Sequence, residues 1–116
     1  MHHPDIDADE SILSRAALKW NARIILALDE RPHRFLELKR EMTGASQRML
    51  TRALRSLQRD GLIDRVEVPD TVLHVSYLIT DLGRSAAALV RHNNGWIARH
   101  LPAIRAAQLR FDAVDE

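Results

Sequence analysis

Residues 46–61, SQRMLTRALRSLQRDG, decide the architecture. Ser46 offers a hydroxyl that accepts from the free backbone amides of a first helical turn, and Asp60-Gly61 supplies a stop. Between them Met49, Leu50, Ala53, Leu54 and Leu57 recur at helical spacing, an apolar stripe that a helix of about four turns buries along one side. Opposite that stripe, at 100° per residue, stand Arg48, Arg52, Arg55 and Arg59, with Gln47 and Thr51 flanking the N-terminal end. A face shaped only for solubility alternates signs, and this one meets no acid before Asp60.

Outward from this helix the periodicity predicts its neighbours. Upstream, Ile12, Leu13, Ala16 and Ala17 mark a short helix with Asp9 and Glu10 in its first turn. Trp20, Ile24, Ala27 and Leu28 mark a second, closed by Pro32, and Phe35, Leu38 and Met42 a third, running to Thr43-Gly44. Downstream of Gly61 the period changes from 3.6 to 2. Leu62, Asp64, Val66 and Val68 share one side of a strand, and Leu73, Val75, Tyr77 and Ile79 follow on another after the turn at Pro69-Asp70. Thr80 caps a further helix, with Leu82, Ala86, Leu89 and Val90 inward and a stop at Asn93-Asn94-Gly95. A last stripe of Ile97, Leu101, Ile104 and Phe111 is bent or restarted by Pro102.

Helix, helix, short helix, turn, long helix, two-stranded ribbon, helix is the order of a winged helix-turn-helix, a mainly α (α+β) fold with a two-stranded β-wing. The 116 residues form one domain, with 19–83 as the winged core. Residues 8–18 and 84–111 present apolar stripes that one small domain does not cover, the pattern of dimerisation helices in a homodimer.

Composition narrows the function. With 46% apolar and 28% charged residues the chain is neither disordered nor membrane-spanning. Its acidic start, Asp5 to Glu10, is unlike a secretory or transit signal, which makes a cytoplasmic protein the expectation. Zero cysteines exclude thiol catalysis, disulfides and cysteine-ligated zinc. His33, His74, His92 and His100 have no metal-ligand spacing, no carboxylate pair or nucleophile elbow appears, and neither enzymatic activity nor a cofactor is expected. The net charge of +1 conceals a basic middle, since residues 31–65 carry nine basic and four acidic side chains. Such a patch attracts phosphates whatever the charge of the whole chain.

In a helix-turn-helix the first turns of the second helix meet base edges in the major groove, where arginine pairs with guanine and glutamine with adenine. Gln47, Arg48, Thr51 and Arg52 are therefore assigned to base readout in double-stranded DNA, Arg55 and Arg59 to the backbone, and Ser46 to the start of the contact helix. The rival reading is a winged helix whose arginine face docks an acidic protein partner. Trp20, Trp96, Tyr77 and Phe111 fall at apolar-face positions that serve a core more often than a pocket. Trp20 and Trp96 are the two that a small-molecule effector would meet.

Several of these stretches resemble the HxlR-type bacterial transcription regulators, relatives of the MarR-type winged-helix proteins. They are Lys19-Trp20 with Ile25-Leu26 and Leu28, Arg34-Phe35 and Leu38, Ser46, Met49-Leu50-Thr51, Leu54, Leu57, Asp60-Gly61-Leu62 and Arg65, continuing through Val68-Pro69, Val75, Tyr77, Thr80, Leu82-Gly83 and Trp96. The resemblance covers about residues 7–100. It implies a homodimer held by terminal helices on a two-fold-related operator, repressing or activating nearby genes, with a repressor the expectation. Arg34 and His74 are also expected in the DNA-facing set. The chain departs from the family pattern in three places. The sensing cysteine many members carry thirteen residues before the tryptophan is Asp7, so a thiol switch cannot operate. Leu18 replaces the glycine usual before Lys-Trp, and the wing reads Pro69-Asp70-Thr71-Val72-Leu73-His74 where relatives often place Arg or Lys.

Overall fold

The computed structural model describes residues 15–115. Its elements are α1 (Arg15–Glu30), β1 (His33–Arg34), α2 (Phe35–Glu41), α3 (Gln47–Arg59), β2 (Ile63–Val68), β3 (His74–Ile79) and α4 (Asp81–Asp115). The strands form one antiparallel sheet in the order β1-β3-β2. This is a mainly helical winged helix-turn-helix, with α2 and α3 as the two helices of the motif and β2-β3 as the wing.

Local chemistry sets the boundaries around α3. Ser46 Oγ accepts from the Met49 N–H at 3.1 Å, satisfying one of the helix's free donors. At the other end Gly61 adopts φ +78°, which a side chain would strain. There the Gly61 N–H donates to the Gln58 carbonyl and the Leu62 N–H to the Leu57 carbonyl, the paired closure of a Schellman motif. Leu50, Ala53, Leu54 and Leu57 are buried between these caps. They pack with Trp20, Ile24, Ile25 and Leu28 of α1, with Leu38, Met42 and Ala45, and with Ile63 and Ala87 in a single core. Met49, expected on the same stripe, is 38% exposed at its edge.

Five sequence expectations are corrected. The sheet has three strands, because His33–Arg34 pairs with β3 in the register His33↔Tyr77 and Arg34↔Ser76. Buried His33 anchors this edge, its Nδ1 lying 2.8 Å from the Arg31 carbonyl and its Nε2 2.8 Å from Glu41 Oε2. The second approach lies off the ring N–H direction and is a close polar contact, not an aligned hydrogen bond. The inward residue of β2 is Ile63, one position out of phase with the stripe read from Leu62, and Val66 is 41% exposed. Tyr77 and Ile79 of β3 do pack on the core as expected.

The helix after Thr80 does not stop at Asn93-Asn94-Gly95. It runs unbroken for 35 residues, through Gly95 and Pro102. Gly95 lacks the positive φ of a helix stop, and the apolar register of Ala86, Val90, Ile97, Leu101 and Ile104 continues across it. The inward face of α4 also differs from the one predicted. Gly83 and Ala87 are buried, while Leu82 and Leu89 are 57% and 69% exposed. A Cβ on Gly83 would stand 2.1 Å from the Leu62 carbonyl oxygen, so the helix approaches the sheet by its backbone. Thr80 locks this junction: its Oγ1 donates to the Gly61 carbonyl at 2.7 Å and accepts from the Gly83 N–H at 3.0 Å. Finally, α1 is continuous from Arg15, with no break before Trp20; the start of the short helix expected from Ile12 and Leu13 lies outside the described residues.

Candidate nucleic-acid interface

Because the leucines of α3 face the core, its opposite side must face solvent. Gln47, Arg48, Thr51, Arg52, Arg55 and Arg59 are all exposed. Steps of four, three and four residues hold the arginines within an arc of about 60° at 100° per residue. None of the four makes an ion pair among the described residues. Elsewhere Arg31 pairs with Glu37, Arg65 with Glu67, and Arg84 and Arg91 with Asp29. The cations of α3 therefore stand as an uncompensated line, whereas those four are partly neutralised by carboxylates.

The frame that holds this line is polar and local. The Arg34 backbone N–H donates to Glu37 Oε1 at 2.9 Å, opening α2 with half of a capping box; an arginine side chain has no acceptor with which to complete it. That hydrogen bond first, and the Arg31 guanidinium second, hold the Glu37 carboxyl below its ordinary range. At the far side Arg91 Nη1 lies 2.6 Å from Asp29 Oδ2, tying α4 to the end of α1.

The remaining predicted site residues divide. Arg34 is exposed on β1, and its Nη2 lies 3.1 Å from Nδ1 of half-buried His74 on β3, a meeting across 40 positions that no local signal announces. Trp20 and Trp96 are not brought together. Trp20 is a core residue at 6% exposure, its ring flanked by Lys19 and Arg23 at 4.9 and 5.0 Å from the centroid. Trp96 is half-exposed on α4 and stacked on His100 with centroids 4.4 Å apart. The sequence reading overlooked exposed Leu109 and Val114 of α4, apolar positions off the stripe it followed.

Comparison with known proteins agrees with this geometry. The sequence profile described as HxlR-like helix-turn-helix matches residues 16–105. The uncharacterised HTH-type transcriptional regulator YtfH of Escherichia coli is 34% identical over 97 residues, which span 84% of this chain and 77% of YtfH. YdzF of Bacillus subtilis, another uncharacterised HTH-type transcriptional regulator, is 42% identical over 88 residues, 75% of this chain and 81% of that protein. The solved structure of the YtfH transcriptional regulator of Salmonella typhimurium superposes with a TM-score of 0.71 at 34% identity, covering 90% of each chain. Both the sequence and the fold thus place the protein among regulators and not enzymes: the chain belongs to the HxlR-like helix-turn-helix family of transcriptional regulators.

Proposed function

We propose that this protein acts as a homodimer on a two-fold-related operator in double-stranded DNA and represses the genes beside it. The observation that carries the reading is the exposed, unpaired line of Arg48, Arg52, Arg55 and Arg59 on the second helix of the motif. Gln47, Arg48, Thr51 and Arg52 read base edges from the first turns, with Ser46 fixing the helix start, while Arg55 and Arg59 meet phosphates. Arg34 and His74 belong to the DNA-facing surface on the wing side. Residues 19–83 serve as the DNA-binding core.

The dimer reading rests on α4. Its 35 residues span roughly 52 Å at about 1.5 Å each, and the chain's radius of gyration is 17.5 Å where a compact domain of this length has about 13 Å. Trp96, Ile97, Leu109, Phe111 and Val114 are exposed along it, and Ile104, Ala107, Gln108, Phe111 and Asp112 line an open groove. A second copy of the 84–111 segment, together with 8–18, covers this surface and sets two copies of α3 about one DNA turn apart or a multiple of it.

The test is titration of the full chain against a duplex from its own upstream region and against random duplex of equal length. Two chains bound per site, a clear preference for the upstream duplex and a salt slope of about −5 to −7 are expected. Equal affinities with a slope near zero contradict the DNA reading and favour an acidic protein partner for the arginine face.

A further inference from the structure

We propose that His74 is a positioning residue that converts Arg34 into the wing's phosphate contact, a role that rests on the DNA reading above. The tip of the wing, Pro69 to Leu73, contains no cation. Its only charged side chain, Asp70, turns back on the loop, accepting from the Thr71 N–H at 2.7 Å. Any electrostatic grip from this side of the motif must come from elsewhere on the ribbon.

The sheet register supplies it. Arg34 lies opposite Ser76, and the two-residue period of a strand puts His74 on the same face as Ser76, away from buried His33. Across the wing, His74 faces Val68 and Ser76 faces Val66, so no β2 carboxylate sits directly opposite either residue. Arg34 itself makes no ion pair among the described residues. A guanidinium has only donors, so the 3.1 Å contact requires His74 Nδ1 to present its lone pair, which puts the ring proton on Nε2. Held this way, the pair offers the unused N–H groups of a planar cation beside the imidazole Nε2–H, a donor set suited to phosphate oxygens. It lies at the entry to α2, the helix that crosses the DNA backbone in this motif. An edge strand of two residues thereby hands the wing the charge that its own tip lacks.

The experiment measures salt-dependent binding of the full chain to a random-sequence duplex, where only backbone contacts count. Arg34→Ala is expected to make the log-log salt slope shallower by about one unit per protomer. His74→Ala should produce the same change, and the double variant no more than either alone. His74→Asn, which keeps an acceptor near the Nδ1 position, should hold the wild-type slope. Additive losses, a wild-type slope for His74→Ala, or a His74→Asn protein that behaves like His74→Ala would each overturn the positioning role. Arg59→Ala is the control that separates the two levels: if it flattens the slope while Arg34→Ala does not, this inference alone fails. If the wild-type chain shows no salt-dependent duplex binding, the DNA reading fails and the inference with it.

Discussion

The outer faces of α3 and α4 are both incomplete surfaces, but in opposite chemical senses. On α3 every large apolar side chain except Met49 is buried and the solvent side is a line of unpaired arginines. On α4 the buried residues are small, Gly83 and Ala87, and most of the large apolar side chains are exposed, with Val90, Leu101 and Ile104 only partly covered. A charged face is stable in water alone and loses little while waiting for a polyanion. An apolar face on a long helix is not, because hydration of exposed apolar surface favours covering it. Under the proposed function the two faces answer to different partners: DNA for α3, reversibly and with salt, and a second chain for α4.

The largest expected effect removes one side of this comparison. Deleting residues from Asn94 onward takes away Trp96, Ile97, Leu109, Phe111 and Val114 while leaving the helix-turn-helix intact. Light scattering should report a monomer or an aggregate, and operator binding should collapse with it; a well-behaved dimer would break the assignment of the seam to α4.

Next in size is the junction that lets α4 leave the core. Gly83→Ala forces a Cβ against the backbone oxygen of Leu62, and overpacking of this kind costs about 1–3 kcal/mol. Denaturant unfolding should show that loss; an unchanged midpoint would mean that the helix start gives way easily.

A smaller effect sharpens the α3 side. Asp70→Lys adds one phosphate-seeking charge per protomer at the wing tip, so binding to random duplex should tighten and the salt slope steepen by roughly 2 units per dimer, with sequence preference nearly constant. A changed preference would show the tip reading bases.

The smallest is a pH effect on the entry to α2. Glu37 has a lowered pKa in the folded chain, so its hydrogen bond to the Arg34 N–H contributes stability above the unfolded-state carboxyl range and loses it as the pH falls through the folded value. Thermal melts from neutral to acid pH should show a slightly smaller acid loss for Glu37→Gln than for wild type. An identical acid dependence would place the acid sensitivity elsewhere.

Most of α3 was legible from the sequence because everything that makes it is local. Ser46 caps it, Gly61 takes the one backbone angle that ends it, and 3.6-residue periodicity sorts leucine from arginine without reference to the rest of the chain. The same reasoning placed Thr80 at the start of α4. It failed where distant packing overrode a local signal. Asn93-Asn94-Gly95 is a stop in isolation, yet the apolar register on both sides of it keeps α4 helical, and Gly83 reads as punctuation although it is a point of close approach. A strand of two residues, His33–Arg34, has no alternation to detect. The contact between Arg34 and His74 exists only because β1 pairs with β3, so no pattern within either segment reveals it.

In the proposed function the N-terminal end of α3 reads sequence while its distal end holds the backbone. Affinities of wild type, Arg48→Ala and Arg59→Ala for the upstream duplex and for random duplex test it most directly. Arg48→Ala is predicted to lose about 1–3 kcal/mol on the upstream duplex and much less on random DNA, and Arg59→Ala to weaken both about equally. Equal losses on the two duplexes for Arg48→Ala would make Arg48 a backbone contact and contradict base readout from this end of the helix.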